Sequence, residues 1–524
     1  MKNEGLSIIE SINFETVSGV NSFAHKLTSK DSVLSDFVGH FSDLNQLDKQ
    51  ITSKSEQYSK DFRDVLVKEL IAQGNNEDLS NRILNEKTFT ITTGHQLNLF
   101  SGPIYSIYKV ASAIELAIRA KGLHKDFDFV PVFWMATEDH DFEEINHFNL
   151  FGDKIEWKTD QKGPVGRLKL DGIQETLNHL KNKFRELPAD VESLIECYKT
   201  SETLADAHRK LFYQLFGKEN ILILDADSKE LKELFIPQIL RELNGDSKIQ
   251  VEKTNELLSK VGLKNQAHAR TINLFYLNDS DRVRIDVEND SYFTIDKSRQ
   301  WTREEIESEI TSNPERFSPN VILRPLYQEV ILPNLMYIGG AGELAYWAQL
   351  KGNFDDANVP FPMLQLRYSG LNMNSNSLTK WTKLRFNLSD LFSKLESLKK
   401  SYVEKHDEEI DFTEIDQELN KLYQMIQDKA SSVNDSLHGY IAGEEKRAEK
   451  SLGNIKGRIL KLQKQQYETQ LNQIEKIKNL YFPNGILQER QQNIIEVLSK
   501  NPNYIEQLLN NMNTTKDQFN IMLS

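Results

Sequence analysis

Residues 130–147 read VPVFWMATEDHDFEEINH, an uncharged and mostly apolar run to Thr137 that passes without a turn signal into six carboxylates and histidines within seven positions. A continuous apolar run of this length suits a strand buried on both faces of a parallel sheet, because helices cover both sides of such sheets. Ligands of open α/β sheets collect at the carboxyl ends of the strands. Here that end carries Glu138, Asp139, His140, Asp141, Glu143 and Glu144.

If the chain is helical from Asp141 onward, His140, Glu144 and His147 fall at i, i+4 and i+7 and share one face. Such a face can bind a divalent cation or a substrate amine, or move protons. The alternative is a strand-to-helix turn in which Asp139 or Asp141 caps the helix and the glutamates favour its positive end. Capping accounts for the carboxylates but not for two histidines on one face. The spacing is not a zinc signature, and no metal is assigned.

Outward from this segment the same rhythm recurs. Residues 88–93 (TFTITT) form a β-branched strand that leads into Gly94, the loop HQLNLFSG, Pro103 and a helix to about Ala120. Strand, glycine loop, proline near the first turn and helix open a doubly wound nucleotide-binding sheet. Residues 221–224 (ILIL) end in Asp225 and Asp227, residues 335–338 lead into Gly339, Gly340 and Gly342 before a helix, and residues 363–366 end at Arg367. Between these strands, about 150–201 and 244–319 lose the rhythm and read as inserted modules. The first eighty residues are polar and helix-prone.

From about Leu388 the composition shifts to Glu, Lys, Gln, Leu and Ile. Ile415, Leu419, Leu422, Ile426, Ala430, Val433 and Leu437 recur in steps of four and three (4-3-4-4-3-4), and Ala448, Leu452, Ile455, Ile459 and Leu462 continue as 4-3-4-3. Sustained alternation with charged flanks signals a coiled coil. A break at 405–411 predicts a helix hairpin, hence an antiparallel coiled coil. The expected division is a core over 1–385, the coiled coil over 386–480, and a segment over 481–524 that returns to the core.

The 524 residues exceed what one hydrophobic core spans. A net charge of −14 argues against duplex nucleic acid as a partner. Cys197 is the single cysteine, which excludes an intrachain disulfide and a cysteine-based metal site. No apolar leader or stretch of transmembrane length occurs, so a cytoplasmic location without membrane attachment is expected.

TTGHQLNLFSGP can hold phosphate, since Gly94 allows close backbone approach and the following helix presents amides; the alternative is a tight strand-to-helix turn. IGGAGELAYW does not match the dinucleotide fingerprint, and no P-loop is present. Arg324, in RPLYQEVILPN, reads either as a surface ion pair or as a clamp on a carboxylate, in a loop fixed by Pro325 and Pro333.

Five blocks occur in order: TTGHQLNLFSGPIYSIYKVASAIELA, PVFWMATEDHDFEEINH, GPVGR at 163–167, RPLYQEVILPNLMYIGGAGELAYWAQLK, and FPNGILQER at 482–490. Together they closely resemble the cysteine ligase family of bacillithiol biosynthesis, BshC, from about residue 80 to the C-terminus. One departure is His95, where that family usually has Gln, which argues against His95 as an obligatory acid or base. The resemblance implies an α/β, Rossmann-like parallel-sheet core related to class I nucleotidyltransferases. It further implies two connecting-peptide insertions, a coiled coil used for homodimerisation, and addition of cysteine to glucosaminyl malate.

Condensing a carboxyl group with an amine is uphill in water, so activation by ATP is expected; whether a metal assists stays open. Thr93, Gly94, His95, Gln96, Gly102, Lys109, Gly339, Gly340 and Gly342 are the candidate nucleotide-binding residues. Glu138, Asp139, His140, Glu143 and His147 are the candidate catalytic groups. Arg167, Arg324 and Arg367 are the candidate anchors for substrate carboxylates. The alternatives are a nucleotidyltransferase for another small acid, and a coiled-coil scaffold with a degenerate nucleotide fold.

Overall fold

A computed structural model describes residues 6–17, 21–278, 280–406 and 411–523. Five strands form the central sheet: β1 (Thr88–His95), β2 (Asp128–Met135), β3 (Leu222–Asp225), β4 (Asn334–Gly339) and β5 (Met363–Leu366). All neighbours are parallel, in the order β5-β4-β1-β2-β3. The expected strands are therefore present. The reversal of strand order lies between β1 and β4, which opens a crevice at their carboxyl ends. Gly94–His95 and Gly339–Gly340 stand at that crevice.

The residues explain the layers. In β2 all but the first residue are buried, as a strand covered on both faces requires. Helix α1 (Tyr105–Leu123) is buried around most of its circumference from Ser106 to Ala117. Its small polar groups are satisfied internally, with Ser106 Oγ donating to Ser101 O and Ser112 Oγ to Tyr108 O, both at 2.7 Å.

The first insertion is a hairpin, His147–Leu150 with Asp153–Glu156, followed by helices Ile173–Lys181 and Ala189–Lys199. Helix α2 (Leu204–Phe216) then leads into β3. The second insertion carries a separate five-stranded sheet, antiparallel throughout, built from Leu274–Leu277, Arg282–Glu288, Ser291–Thr294, Gln300–Trp301 and Phe317–Pro319. The N-terminal region is not wholly helical: Ser7–Asn13 is a strand paired antiparallel with Gln518–Leu523. Long-range pairing with the chain's end, rather than local periodicity, makes that strand.

Two compact units result, one spanning Met1–Asn372 with Ile486–Ser524, the other Met373–Gly485. The second unit contains helices α4 (Leu395–His406), α5 (Thr413–Ser431), α6 (His438–Gln466) and α7 (Glu468–Tyr481). Residues 407–410, inside the break read at 405–411, lie outside the described residues. The described reversal falls instead at 432–437, between α5 and α6. Antiparallel pairing follows from the contacts: Tyr423 Oη donates to Glu444 O at 3.3 Å, Lys456 pairs with Asp416, Tyr467 Oη donates to His406 O at 2.9 Å, and Lys399 pairs with Glu475 at 2.8 Å. No described residue of α5 is buried within the chain.

Candidate active site

At the crevice lies a cavity of about 730 Å³, walled by the ends of β1, β2 and β4 and by the second insertion. From β1 it receives Gly94, His95 and Gln96; from β2 and its loop, Ala136 to Asp139; from the turn after β4, Gly340 to Glu343; from the end of β5, Arg367. Arg270, Phe275 and Arg282 come from the second insertion, and Arg490 from the C-terminal segment.

Lys109, on α1 and buried, donates to Gly94 O at 2.7 Å and pairs with Glu343 at 2.5 Å. Burial pushes the Glu343 carboxyl up, but the Lys109 ammonium, the Tyr337 hydroxyl at 2.5 Å and Arg324 outweigh it and hold it below the usual range. Glu343 also caps its own helix, α3 (Ala341–Gln349), by accepting from Gly340 N at 3.3 Å. His95 lies edge-on to Tyr105, and its buried Nε2 has no protein partner. Burial, then the charges of Lys109, His208 and Arg367, push the His95 imidazole well below its ordinary range, so it is neutral at neutral pH.

The acidic loop is held from both sides. Gln96 Nε2 donates to Asp139 Oδ2 at 2.9 Å and to Glu144 Oε2 at 2.7 Å. From the GPVGR block, Val165 N donates to Asp139 O at 2.7 Å and Gly166 N to Thr137 O at 2.9 Å. Glu138 pairs with buried Lys232. Burial raises the Glu138 carboxyl, and Asp227 adds to the rise, against the pull of Lys232 and Arg282.

Several expectations change. The helix after the acidic loop is only Phe142–Ile145, with Asp141 as its cap, and His147 already begins a strand. His140, Glu144 and His147 therefore share no helical face, because Asn146 ends the helix. Glu143 is exposed and, like His147, stands away from the cavity; His147 Nδ1 contacts Asn146 Oδ1 at 3.0 Å. His140 is exposed and meets Arg282 at 3.2 Å through Nδ1. Burial and Arg282 lower its pKa.

The loop 97–102 is not an open phosphate cradle. Leu97, Leu99 and Phe100 are fully buried, and Phe100, Ser101 and Gly102 all have positive φ. Asn493 fixes this turn by donating to Phe100 O at 3.0 Å and Gly102 O at 2.8 Å, while Ile104 N donates to Gln492 O at 2.7 Å. Gly102 and Thr93 do not line the cavity; Thr93 Oγ1 donates to Ile338 O at 2.9 Å between strands. Gly340 and Gly342 line it and Gly339 does not.

Among the expected arginines, Arg324 lines the cavity from the first turn of helix Arg324–Ile331, not from a loop, since Pro325 sits at that helix's start. Its guanidinium lies 5.7 Å from the ring centres of Trp134, Tyr337 and Trp347. Arg367 borders the cavity but is forked on buried Glu489 at 2.6 and 3.1 Å. Arg167 does not line the cavity; it is forked on Asp227 at 2.8 and 2.9 Å. Arg270, Arg282, Arg490, Glu343, Tyr346 and Lys232 were not anticipated. Glu343 and Arg490 sit inside the quoted blocks IGGAGELAYW and FPNGILQER, which was their available signal. Among the described residues no cluster of His, Cys, Asp and Glu has the form of a metal site.

A doubly wound parallel sheet with its ligand cleft at the strand-order reversal, followed in sequence by a helical hairpin unit, defines a Rossmann-like α/β protein with a C-terminal coiled coil. Residues 8–368 match the family model for the BshC N-terminal Rossmann-like domain of bacillithiol biosynthesis, and residues 371–524 match that for the BshC C-terminal coiled-coil domain. The chain belongs to the BshC family of bacillithiol biosynthesis.

Relatives bear the name "Putative cysteine ligase BshC". That of Flavobacterium johnsoniae is 38% identical, covering 98% of this chain and 99% of its own length. That of Christiangramia forsetii is 39% identical over 92% of each chain. That of Chlorobaculum tepidum is 30% identical over 84% of this chain and 85% of its own. The chain is thus a member of a ligase family. No described helix is long and apolar enough to cross a membrane.

Proposed function

We propose that this chain adds cysteine to glucosaminyl malate in the last step of bacillithiol biosynthesis, with ATP activating the cysteine carboxylate. One observation carries the reading. Besides Arg367, which Glu489 holds, four guanidinium groups line the cavity, those of Arg270, Arg282, Arg324 and Arg490, and among the described residues none of these four has a carboxylate within 4 Å. Arg270 and Arg490 are exposed and Arg282 and Arg324 partly buried; like charges gathered around one cavity repel one another, and anionic ligands offset that cost. Cysteine brings one carboxylate, the malate group two, and ATP a triphosphate.

The residues fit a nucleotide. Arg324 Nη2 has no hydrogen-bond partner, and Arg324, Arg490 and Lys109 are the groups that would hold its phosphates. ATP supplies the group that turns a carboxylate oxygen into a leaving group. The protein does the rest. Glu343, kept ionised by Lys109, presents negative charge to an ammonium. Glu138 takes the proton that the sugar amine loses as its nitrogen bonds to the cysteine carbonyl carbon, and its burial brings its basicity closer to that task. Neutral His95 offers Nε2 as a hydrogen-bonding group.

We place the reaction in the cytoplasm, where ATP and cysteine are available, and the protein as a homodimer through its coiled coil. Ile415, Leu422, Met425, Ile426, Ile455, Ile459 and Leu462 are exposed along the hairpin, an apolar seam that a second copy would cover.

The test is reconstitution. Purified protein with ATP, cysteine and glucosaminyl malate should yield bacillithiol by mass spectrometry, with ATP turnover dependent on both other substrates. ATP turnover that is indifferent to them would overturn the reading. Asp139→Asn should abolish product with the fold retained; wild-type turnover would remove the acidic loop from the mechanism.

A further inference from the structure

Behind the acidic loop is a group of charges that touches no part of the cavity except through Glu138. Lys232 is entirely buried in the short helix Lys229–Glu233. Its ammonium pairs with Glu138, donates to Glu315 O at 3.1 Å, and stands 3.6 Å from Asp227 Oδ1. Two carboxylates thus compete for one ammonium. Asp227 has a second partner: Arg167, from the GPVGR block, grips both of its oxygens at 2.8 and 2.9 Å. Asp227 is nearly as buried as Lys232, whereas Arg167 is 40% exposed.

We propose that Arg167 and Lys232 are positioning residues for Glu138: Arg167 neutralises Asp227, which leaves the buried ammonium of Lys232 to fix the Glu138 carboxylate on the cavity wall. The fork is the geometry in which Arg binds a carboxylate best. It satisfies Asp227, which Lys232 alone could do only by abandoning Glu138. Despite burial, Asp227 is held below the usual carboxylate range by Lys232 and Arg167, consistent with a stable anion there. The same GPVGR block hydrogen-bonds the acidic loop backbone through Val165 and Gly166. One segment therefore sets both the path of the loop and the charge balance behind it.

Other groups bear on Glu138. Arg282 of the second insertion stabilises its charged form, and Asp227 opposes it. Buried Tyr327, which donates to Ala226 O at 2.8 Å, and Asp225, which accepts from Thr137 Oγ1 at 2.5 Å, complete the surroundings with Asp139 on the same loop. Arg167 also bears on Glu138 and Asp225 directly through space, in the same direction as its hold on Asp227. With Arg167 gone, unneutralised Asp227 draws Lys232 away and repels Glu138, so Glu138 should titrate at higher pH. Removing the Asp227 charge as well should reverse the change.

The functional consequence rests on the proposed role of Glu138 as the base, so two readouts are needed. The first is carboxyl-13C NMR of full-length protein labelled at glutamate Cδ, with Glu138→Gln identifying the resonance. The second is the pH profile of kcat/KM for bacillithiol formation. Arg167→Ala should move the Glu138 titration to higher pH and lower kcat/KM on the acidic limb by roughly tenfold, with the alkaline plateau retained. Arg167→Ala/Asp227→Asn should restore both, and Arg167→Lys should restore them in part. A Glu138 titration unmoved in Arg167→Ala, or moved but not restored by Asp227→Asn, overturns the inference. A titration that moves and is restored while the acidic limb stays fixed upholds the inference and removes Glu138 as the base.

Discussion

Gly166→Ala tests whether the GPVGR segment places the acidic loop. A methyl group built at Gly166 would lie 2.5 Å from Thr137 Cβ, 2.8 Å from its Cγ2 and 3.0 Å from its Cα. Ordinary carbon contacts are about 3.5–4.0 Å, so the segments must part by roughly 1 Å. Rotating Thr137 about χ1 gives no relief, because that rotation moves neither Cα nor Cβ, and its Oγ1 is engaged by Asp225 at 2.5 Å. Separation strains the bonds from Val165 N to Asp139 O and from Gly166 N to Thr137 O. Overpacking of this kind costs about 1–3 kcal/mol of stability. A shift of about 1 Å at a reacting group costs on the order of 10²-fold in rate. The measurements are a denaturation midpoint and kcat/KM for bacillithiol formation. Gly122→Ala is the control: it sits near the end of α1 with nothing within 4 Å of the new methyl, and should be neutral or slightly stabilising. Gly166→Ala with wild-type kcat/KM and an unchanged midpoint would show that the contact does not place the loop.

Three further outcomes are expected. Glu489→Gln leaves the Arg367 guanidinium buried with half its fork, and should cost about 3–5 kcal/mol by chemical denaturation; a loss under about 1 kcal/mol would mean that water from the cavity replaces the carboxylate. Burial raises Glu242 to about 7; with an unfolded pKa near 4.5, the native state binds the extra proton between those values, so stability falls as pH rises from about 4.5 to 7, by about 3 kcal/mol. Glu242→Gln should flatten that slope, and an identical slope would assign it to another group. Leu422→Asp with Ile426→Asp, both exposed on α5, should lower the mass measured by light scattering from dimer to monomer; a persistent dimer would place the interface elsewhere.

The core strands were legible because a strand covered on both faces must be apolar throughout, and residues 130–135, 221–224 and 335–338 stand out for that reason alone. The coiled coil was legible because a seam repeats. Turn chemistry was harder. HQLNLFSGP resembles a phosphate loop in its glycine and proline, yet Leu97, Leu99 and Phe100 turn inward and three consecutive positive φ angles make it a packed turn. Its apolar residues were the signal that this loop faces the core. Asn146 similarly ended a helix that periodicity would have continued through His147.

What no local pattern could deliver is the pairing of distant charges. Arg367 looks like a free anchor until Glu489, which lies far along the chain, occupies its fork. Arg167 looks like one until Asp227 does the same. Lys232 in KELKEL reads as a solvated surface residue, yet it is fully buried because the loop after β2 brings Glu138 to it. In each case composition specified that a charge was present, and topology decided whether it was spent on the protein or left for a ligand. That distinction reassigns the site: Arg167 and Arg367 hold the walls in place, while Arg270, Arg282, Arg324 and Arg490 face the cavity without a carboxylate. Substitution of the second group should therefore act on substrate affinity, and of the first on geometry and stability.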